Sequence, residues 1–218
     1  MAEPLSAGAQ VPAAVSLRDI YKRFGTVQAN RGVNLDVAGG SIHGIVGENG
    51  AGKSTLMSIL VGLHTPDRGT IAIDGGIVTF AGTQDAVARG IGMVHQHFML
   101  VERFSVLENI VLGAESGFVL NTSLAQTRRE LLQLSTDFGL HADPDALVRD
   151  LPVGALQRVE ILKALYRRAR ILILDEPTGM LTPQEAEQLF RVLRELQARG
   201  TTVLLITHKL KEILAITR

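Results

Sequence analysis

The run Gly47-Glu48-Asn49-Gly50-Ala51-Gly52-Lys53-Ser54 constrains this chain more than any other stretch. It follows a short apolar segment, 42–46, and opens a segment, 54–63, that reads as a helix. Glycines at 47, 50 and 52 let the backbone turn successive N–H groups inward, and the helix behind them adds the partial positive charge of its N-terminus. A concavity lined in this way suits phosphate oxygens. The spacing G-x-x-x-x-G-K-[ST] then lets Lys53 bridge the β- and γ-phosphates of a nucleotide and lets the Ser54 hydroxyl ligate Mg²⁺. Such a loop needs a strand before it and a helix after it, so the chain is expected to be α/β.

The remainder has the composition to bury a core of that kind. Its 218 residues suffice for one large domain or a core with a subdomain; 46% are apolar and 20% charged, which excludes a disordered chain. Lysine plus arginine and aspartate plus glutamate both number 22, so the basic surplus of a general nucleic-acid binder is missing. Without cysteine there is no disulfide, thiolate metal site or thiol nucleophile. No apolar run approaches the ~18 residues of a membrane-spanning helix. Residues 1–14, rich in alanine and proline with no basic start, read as a loose cytoplasmic tail rather than a secretory signal.

Strands are expected at 15–19, 32–37, 42–46, 70–73 and 77–80, the early ones forming an antiparallel portion. The continuous apolar runs 91–95, 171–174 and 203–206 predict parallel strands buried on both faces. Between them 98–151 changes character and reads as a helical insertion. There Ser123 to Gln126 has capping-box spacing, and Leu124, Leu131, Leu134 and Phe138 recur at near-helical intervals. A second capping box, Thr182-Pro183-Gln184-Glu185, starts a helix that runs to Arg199-Gly200, and 209–218 reads as a last helix.

The apolar run 171–174 ends in Asp175-Glu176. At the carboxyl end of a strand beside a phosphate loop, Asp175 can hold Mg²⁺ directly or through water, and Glu176 can polarise the water that attacks a γ-phosphate. Alone, the pair would read as an acidic turn in solvent; with the phosphate loop that reading becomes minor.

From Val15 onward these marks resemble the nucleotide-binding domain of ABC transporters. The resemblance implies a P-loop NTPase of ABC type with a RecA-like parallel core sheet, a small antiparallel β portion and a helical subdomain. The segment Gly92-Met93-Val94-His95-Gln96-His97-Phe98-Met99-Leu100 and the following Leu107-Glu108-Asn109 look like the glutamine loop of sugar and nucleoside importers. Gln157-Arg158-Val159-Glu160-Ile161 and Leu181-Thr182-Pro183-Gln184-Glu185 point to the same subgroup. By similarity, Gln96 would reach Mg²⁺ and the attacking water while its loop senses a membrane partner, and His208 would contact the γ-phosphate. Phe24, in Lys22-Arg23-Phe24-Gly25, matches the aromatic on which adenine stacks. Gly47, Glu48, Asn49, Gly50, Ala51, Gly52, Lys53, Ser54 and Thr55 would cradle ATP, with Ser54, Gln96 and Asp175 around Mg²⁺. Taken singly, Gln96 reads as a surface amide, Phe24 as core, and His208 as a structural histidine; the carboxyl-end position of His208 favours the functional reading.

Two positions depart from the family pattern. Where the family carries Leu-Ser-Gly-Gly-Gln this chain reads Leu151-Pro152-Val153-Gly154-Ala155. Pro152 supplies neither hydroxyl nor N–H to a phosphate held by an opposite subunit, though Gly154 and the helix N-terminus are expected to stay available to an anion. Thr182 stands where the wider family has aspartate, and its capping-box spacing favours a cap, with a dimer role left open.

The resemblance therefore implies an ATP-hydrolysing subunit of an importer for a simple sugar or nucleoside, peripheral on the cytoplasmic face of the membrane. Its expected partners are a second ABC ATP-binding domain (tandem or homodimer), transmembrane permease subunits and, indirectly, a solute-binding protein, with no direct nucleic acid. The alternatives are a nucleotide-regulated interaction domain with little hydrolysis, which Pro152 favours and Glu176 opposes, and a soluble ABC ATPase. The expected layout is a tail at 1–14, an ATP-binding core at 15–96 and 154–218, and a helical subdomain at 97–153 ending in the signature. The family pattern continues beyond Arg218, so the chain is expected to be the N-terminal half of a tandem protein or a shortened domain.

Overall fold

The computed structural model describes residues 13–112 and 124–216. In chain order the elements are β1 (Ala13–Phe24), β2 (Val27–Ala38), β3 (Ile42–Val46), α1 (Lys53–Leu60), β4 (Arg68–Ile73), β5 (Gly76–Val78), α2 (Thr83–Ala88) and β6 (Ile91–Val94). There follow α3 (Val106–Val111), α4 (Leu124–Asp137), a 3₁₀ turn (Val148–Asp150), α5 (Val153–Tyr166), β7 (Ile171–Asp175), α6 (Pro183–Ala198), β8 (Thr202–Thr207) and α7 (Leu210–Ile216). They form an antiparallel sheet of order β2-β1-β4-β5 and a parallel sheet of order β3-β8-β7-β6.

The central strands of the parallel sheet, β7 and β8, are buried at every position. Their side chains alternate between two cores, as a period of two requires. Ile171, Ile173, Leu204 and Ile206 join a cluster with α1 and the antiparallel sheet, where Leu17, Ile20, Met57 and Leu60 are also buried. Leu172, Leu174, Val203 and Leu205 join the opposite cluster, with Leu131 of α4, Val159 and Leu162 of α5 and Leu193 and Leu196 of α6. The apolar runs thus meet the expectation of strands covered on both faces. The edge strand β6 is only partly covered, with Gly92 and Met93 half-buried.

Register places the future site. Val46 pairs with Thr207, Asp175 with Ile206, and Val94 with Leu174. The phosphate loop, the residue after Asp175, His208 and Gln96 therefore all leave the sheet at the same carboxyl edge, where open α/β sheets bind ligands.

Several boundaries differ from those expected. Ala13 and Ala14, assigned to the tail, begin β1, and Ala14 is buried in the core that the antiparallel sheet shares with α1. Strand β1 extends to Phe24 and β2 begins at Val27, so that the largely polar stretches 21–24 and 27–31 pair through ladder hydrogen bonds with several register shifts. Strand β5 ends at Val78, so Phe80 enters the core from a loop. Helix α1 stops at Leu60, and α2 escaped notice because six residues are too few to show a helical period. The capping box expected at Ser123 lies outside the described residues; α4 begins at Leu124, which is exposed, while Leu131, Leu134 and Phe138 pack inward. Residues 209–218 contribute α7 over 210–216.

The capping box at Thr182 is present: its hydroxyl accepts the Glu185 N–H at 3.3 Å while Glu185 accepts the Thr182 N–H at 2.9 Å. Thr182→Ala should cost about 1 kcal/mol in urea unfolding, whereas Thr182→Asp should cost almost nothing, because aspartate caps equally well. Equal losses in both variants would remove the cap as the reason for threonine here.

Candidate active site

The phosphate loop turns between β3 and α1 through two left-handed glycines, Gly50 at φ 83° and Gly52 at φ 84°. Its outer residues, Glu48 to Ala51, are exposed. Lys53 folds back so that its ammonium donates to the carbonyls of Gly47 at 2.6 Å and Glu48 at 2.8 Å. Underneath, Asn30 of β2 donates from Nδ2 to the Gly52 carbonyl at 3.1 Å. The first turn of α1 holds no acidic residue to oppose an anion.

Across the sheet edge, Asp175 is 8% exposed. Burial pushes its carboxyl above the usual carboxylate range and the charge of Glu176 adds to this. A hydrogen bond from Ser54 and the positive fields of His95 and Lys53 oppose it. Ser54 of α1 and Asp175 of β7 thus meet as a hydroxyl and a carboxylate. Glu176 takes the left-handed conformation at φ 47°, a strained state for a side chain of its size, and its N–H donates to the Ile206 carbonyl at 2.9 Å. Its Oε1 lies 3.1 Å from Nδ1 of His208.

The structure therefore brings Lys53, Ser54, Asp175, Glu176 and His208 together. Gln96 stands at the same edge in an exposed bend just beyond β6. Phe24 closes the β1–β2 hairpin and is 42% exposed, outside both cores; the His64 ring meets it edge-on at 5.1 Å and the Lys22 ammonium lies 5.4 Å from its centre. Its reading as core is thereby overturned. Sequence reasoning missed Asn30, His64 and His95 as neighbours of these groups, since each arrives from a different strand or loop and belongs to no local pattern.

Pro152 is the N-cap of α5, with φ −67° and no side-chain cap; its carbonyl accepts the N–H groups of Ala155 and Leu156. Gly154, in the first turn of α5, is buried, and a Cβ there would come within 2.4 Å of a Glu185 carboxylate oxygen, so its Cα packs against α6.

Residues 30–179 match the sequence model of the ABC transporter family. The chain belongs to this family. It is 50% identical over 202 residues to the nucleoside import ATP-binding protein NupA of Lactococcus lactis subsp. cremoris, covering 93% of this chain and 40% of that protein. It is 45% identical over 228 aligned positions to the glucose import ATP-binding protein TsgD13 of Haloferax volcanii, covering 92% and 42%. The chain thus spans about two fifths of the length of these curated relatives.

Among solved structures, a nucleotide-free ATP-binding cassette from an ABC transporter superposes with a TM-score of 0.83 at 26% identity, covering 94% of this chain and 85% of that one. A dimeric bacterial ABC transporter cassette gives 0.77 at 28% identity, covering 91% and 89%. The parallel sheet with its phosphate loop, the antiparallel sheet and the intervening helices are the P-loop fold of ABC type.

Proposed function

We propose that this chain is the ATP-binding and ATP-hydrolysing unit of an ABC importer for a simple sugar or nucleoside. The observation that carries the catalytic part is the 3.1 Å contact of Glu176 with His208 beside the Ser54–Asp175 pair and the phosphate loop. In this reading the loop N–H groups and Lys53 hold the phosphates. Glu176 takes a proton from the water that attacks the γ-phosphorus, and the bond to the ADP oxygen breaks. His208 holds the carboxylate in place and meets the γ-phosphate side of the site. Phe24, exposed at the hairpin end, is the stacking face for adenine.

Among the described residues no three His, Asp or Glu side chains cluster as metal ligands. The oxygen set of Ser54 and Asp175, with Gln96 nearby on the same edge, nevertheless suits Mg²⁺, which keeps several waters and asks for few protein ligands. Bound there, Mg²⁺ would supply positive charge against the phosphate oxygens.

The import part rests on the likeness to nucleoside and sugar import proteins. No described helix is long and apolar enough to cross a membrane, so this reading assigns passage to separate permease subunits at whose cytoplasmic face the chain works. A cavity of about 300 Å³ between β6 and α5, bordered by Met93, Met99, Glu160 and Lys163, lies beside the Gln96 loop and offers those subunits a seat. A second ABC domain, in the same polypeptide or another copy, would close head-to-tail on the nucleotide. Co-expression with candidate multi-span permease subunits, followed by uptake of labelled nucleosides and pentoses, tests this; ATP turnover without uptake of either class would remove the import reading.

Pro152 makes the site that this chain completes for its partner the weaker one. In the assembled transporter Pro152→Ser should strengthen ATP binding roughly ten- to a hundredfold, the worth of one charge-assisted hydrogen bond of roughly 1.5–3 kcal/mol, while Pro152→Ala should not. No difference between serine and alanine would count against unequal sites.

A further inference from the structure

Glu176 and His208 stand on two different loops, and the reading above needs them in register. Backbone pairing ends at Glu176, whose N–H reaches the Ile206 carbonyl. At that point Glu176 takes a strained conformation and His208 is exposed. A conformation of this kind persists only where its surroundings over-determine it.

Resting on that reading, we propose that Glu212 of α7 is the positioning residue that sets the Glu176–His208 contact. Its two carboxylate oxygens take hydroxyls separately, one from the loop after β7 and one from the last residue of β8. Thr178, two residues after Glu176, donates to Oε1 at 2.6 Å; Thr207, one residue before His208, donates to Oε2 at 3.0 Å. Both threonines are buried, and the Glu212 side chain is 14% exposed. Thr207 Oγ1 also accepts the Lys209 N–H at 3.0 Å, which fixes the backbone on the far side of His208, and the Lys209 ammonium lies 3.1 Å from Oε1. Hydrogen bonds to an ionised carboxylate are about twice as strong as neutral ones, so one side chain ties both loops to α7. Docking α7 would not by itself require this arrangement, because Ile213 and Ile216 already pack it into the core.

The test uses the histidine ring ¹H–¹³C spectrum of the whole chain, with the His208 peak assigned by its loss in His208→Ala. Glu212→Ala should move the His208 peak toward its position in Glu176→Gln and leave the His43 and His64 peaks in place. Thr178→Val, which deletes one hydroxyl at constant shape, should move it part of the way and carries the test if Glu212→Ala disturbs every peak. In turnover, Glu212→Ala should lower kcat about tenfold or more at an unchanged KM for ATP, with no further loss in a His208→Ala background. A His208 peak that moves in Glu176→Gln but not in Glu212→Ala or Thr178→Val overturns the proposal and leaves the Glu176–His208 pair intact. Losses that multiply in full with His208→Ala also overturn it. A peak unmoved even by Glu176→Gln overturns the pair and the proposal together.

Discussion

Glu176→Gln should lower ATP turnover by about 10²–10⁴-fold while leaving ATP affinity within about twofold. Glutamine keeps the size of the side chain and an oxygen or nitrogen to meet His208 Nδ1, so the contact at 3.1 Å can survive in altered form. What it loses is the capacity to take a proton from water. On the proposed reading affinity is set elsewhere, by the N–H groups of the phosphate loop and by Lys53, whose ammonium already rests on the Gly47 and Glu48 carbonyls. The measurement pairs steady-state phosphate release with a nucleotide titration, on the chain alone and with the proposed permease subunits. Equal turnover in wild type and variant would sink Glu176 as the base. A large rise in Kd with the loss would move Glu176 from chemistry to binding.

Gly52→Ala should destabilise the chain by roughly 2–5 kcal/mol and abolish tight ATP binding, because two penalties coincide there. The residue sits at φ 84°, which a side chain adopts only under strain, and its added Cβ would stand 2.2 Å from the Ala29 carbonyl oxygen and 2.9 Å from Asn30 Nδ2. The first obstacle is backbone of β2 and cannot rotate away. Gly50 provides the comparison: φ is 83°, yet nothing lies within 4 Å of the position a Cβ would take. Gly50→Ala should therefore show only the conformational cost, roughly 1–2 kcal/mol. Thermal melts should separate the two, with Gly52→Ala lower by several degrees, since each kcal/mol moves Tm by about 2–4 °C in a chain of this size. Similar melts for both variants would mean that β2 yields to the loop and that Asn30 and Ala29 do not brace it.

Much of the fold was legible because its signals are local. A strand, a glycine loop and a helix follow one another through 42–60, and β7 and β8 announce themselves as apolar runs because both faces are covered. The β1–β2 hairpin was legible only in part. Its polar residues pair through backbone hydrogen bonds that leave no hydropathic trace. Thr182 was readable as a cap for the opposite reason, since both partners of the box lie within four residues.

The candidate site divides along the same line. Lys53, Ser54, Asp175 and Glu176 could be named from two short motifs, and Gln96, His208 and Phe24 from a family likeness. That Phe24 is exposed rather than core, that Gly154 faces Glu185, and that Glu212 receives hydroxyls from both Thr178 and Thr207 required the folded chain.

By itself, then, the amino-acid sequence determined the α/β class, the phosphate loop and the carboxylates at a strand end, because these depend on spacing within a few residues. Tertiary structure alone decided which of those groups touch. Parallel register aligned Val46, Thr207, Asp175 and Val94 at one edge, and chain segments over a hundred residues apart then met there. A spacing pattern encodes neither that alignment nor the burial that raises the Asp175 carboxyl, since both arise from elements packed together.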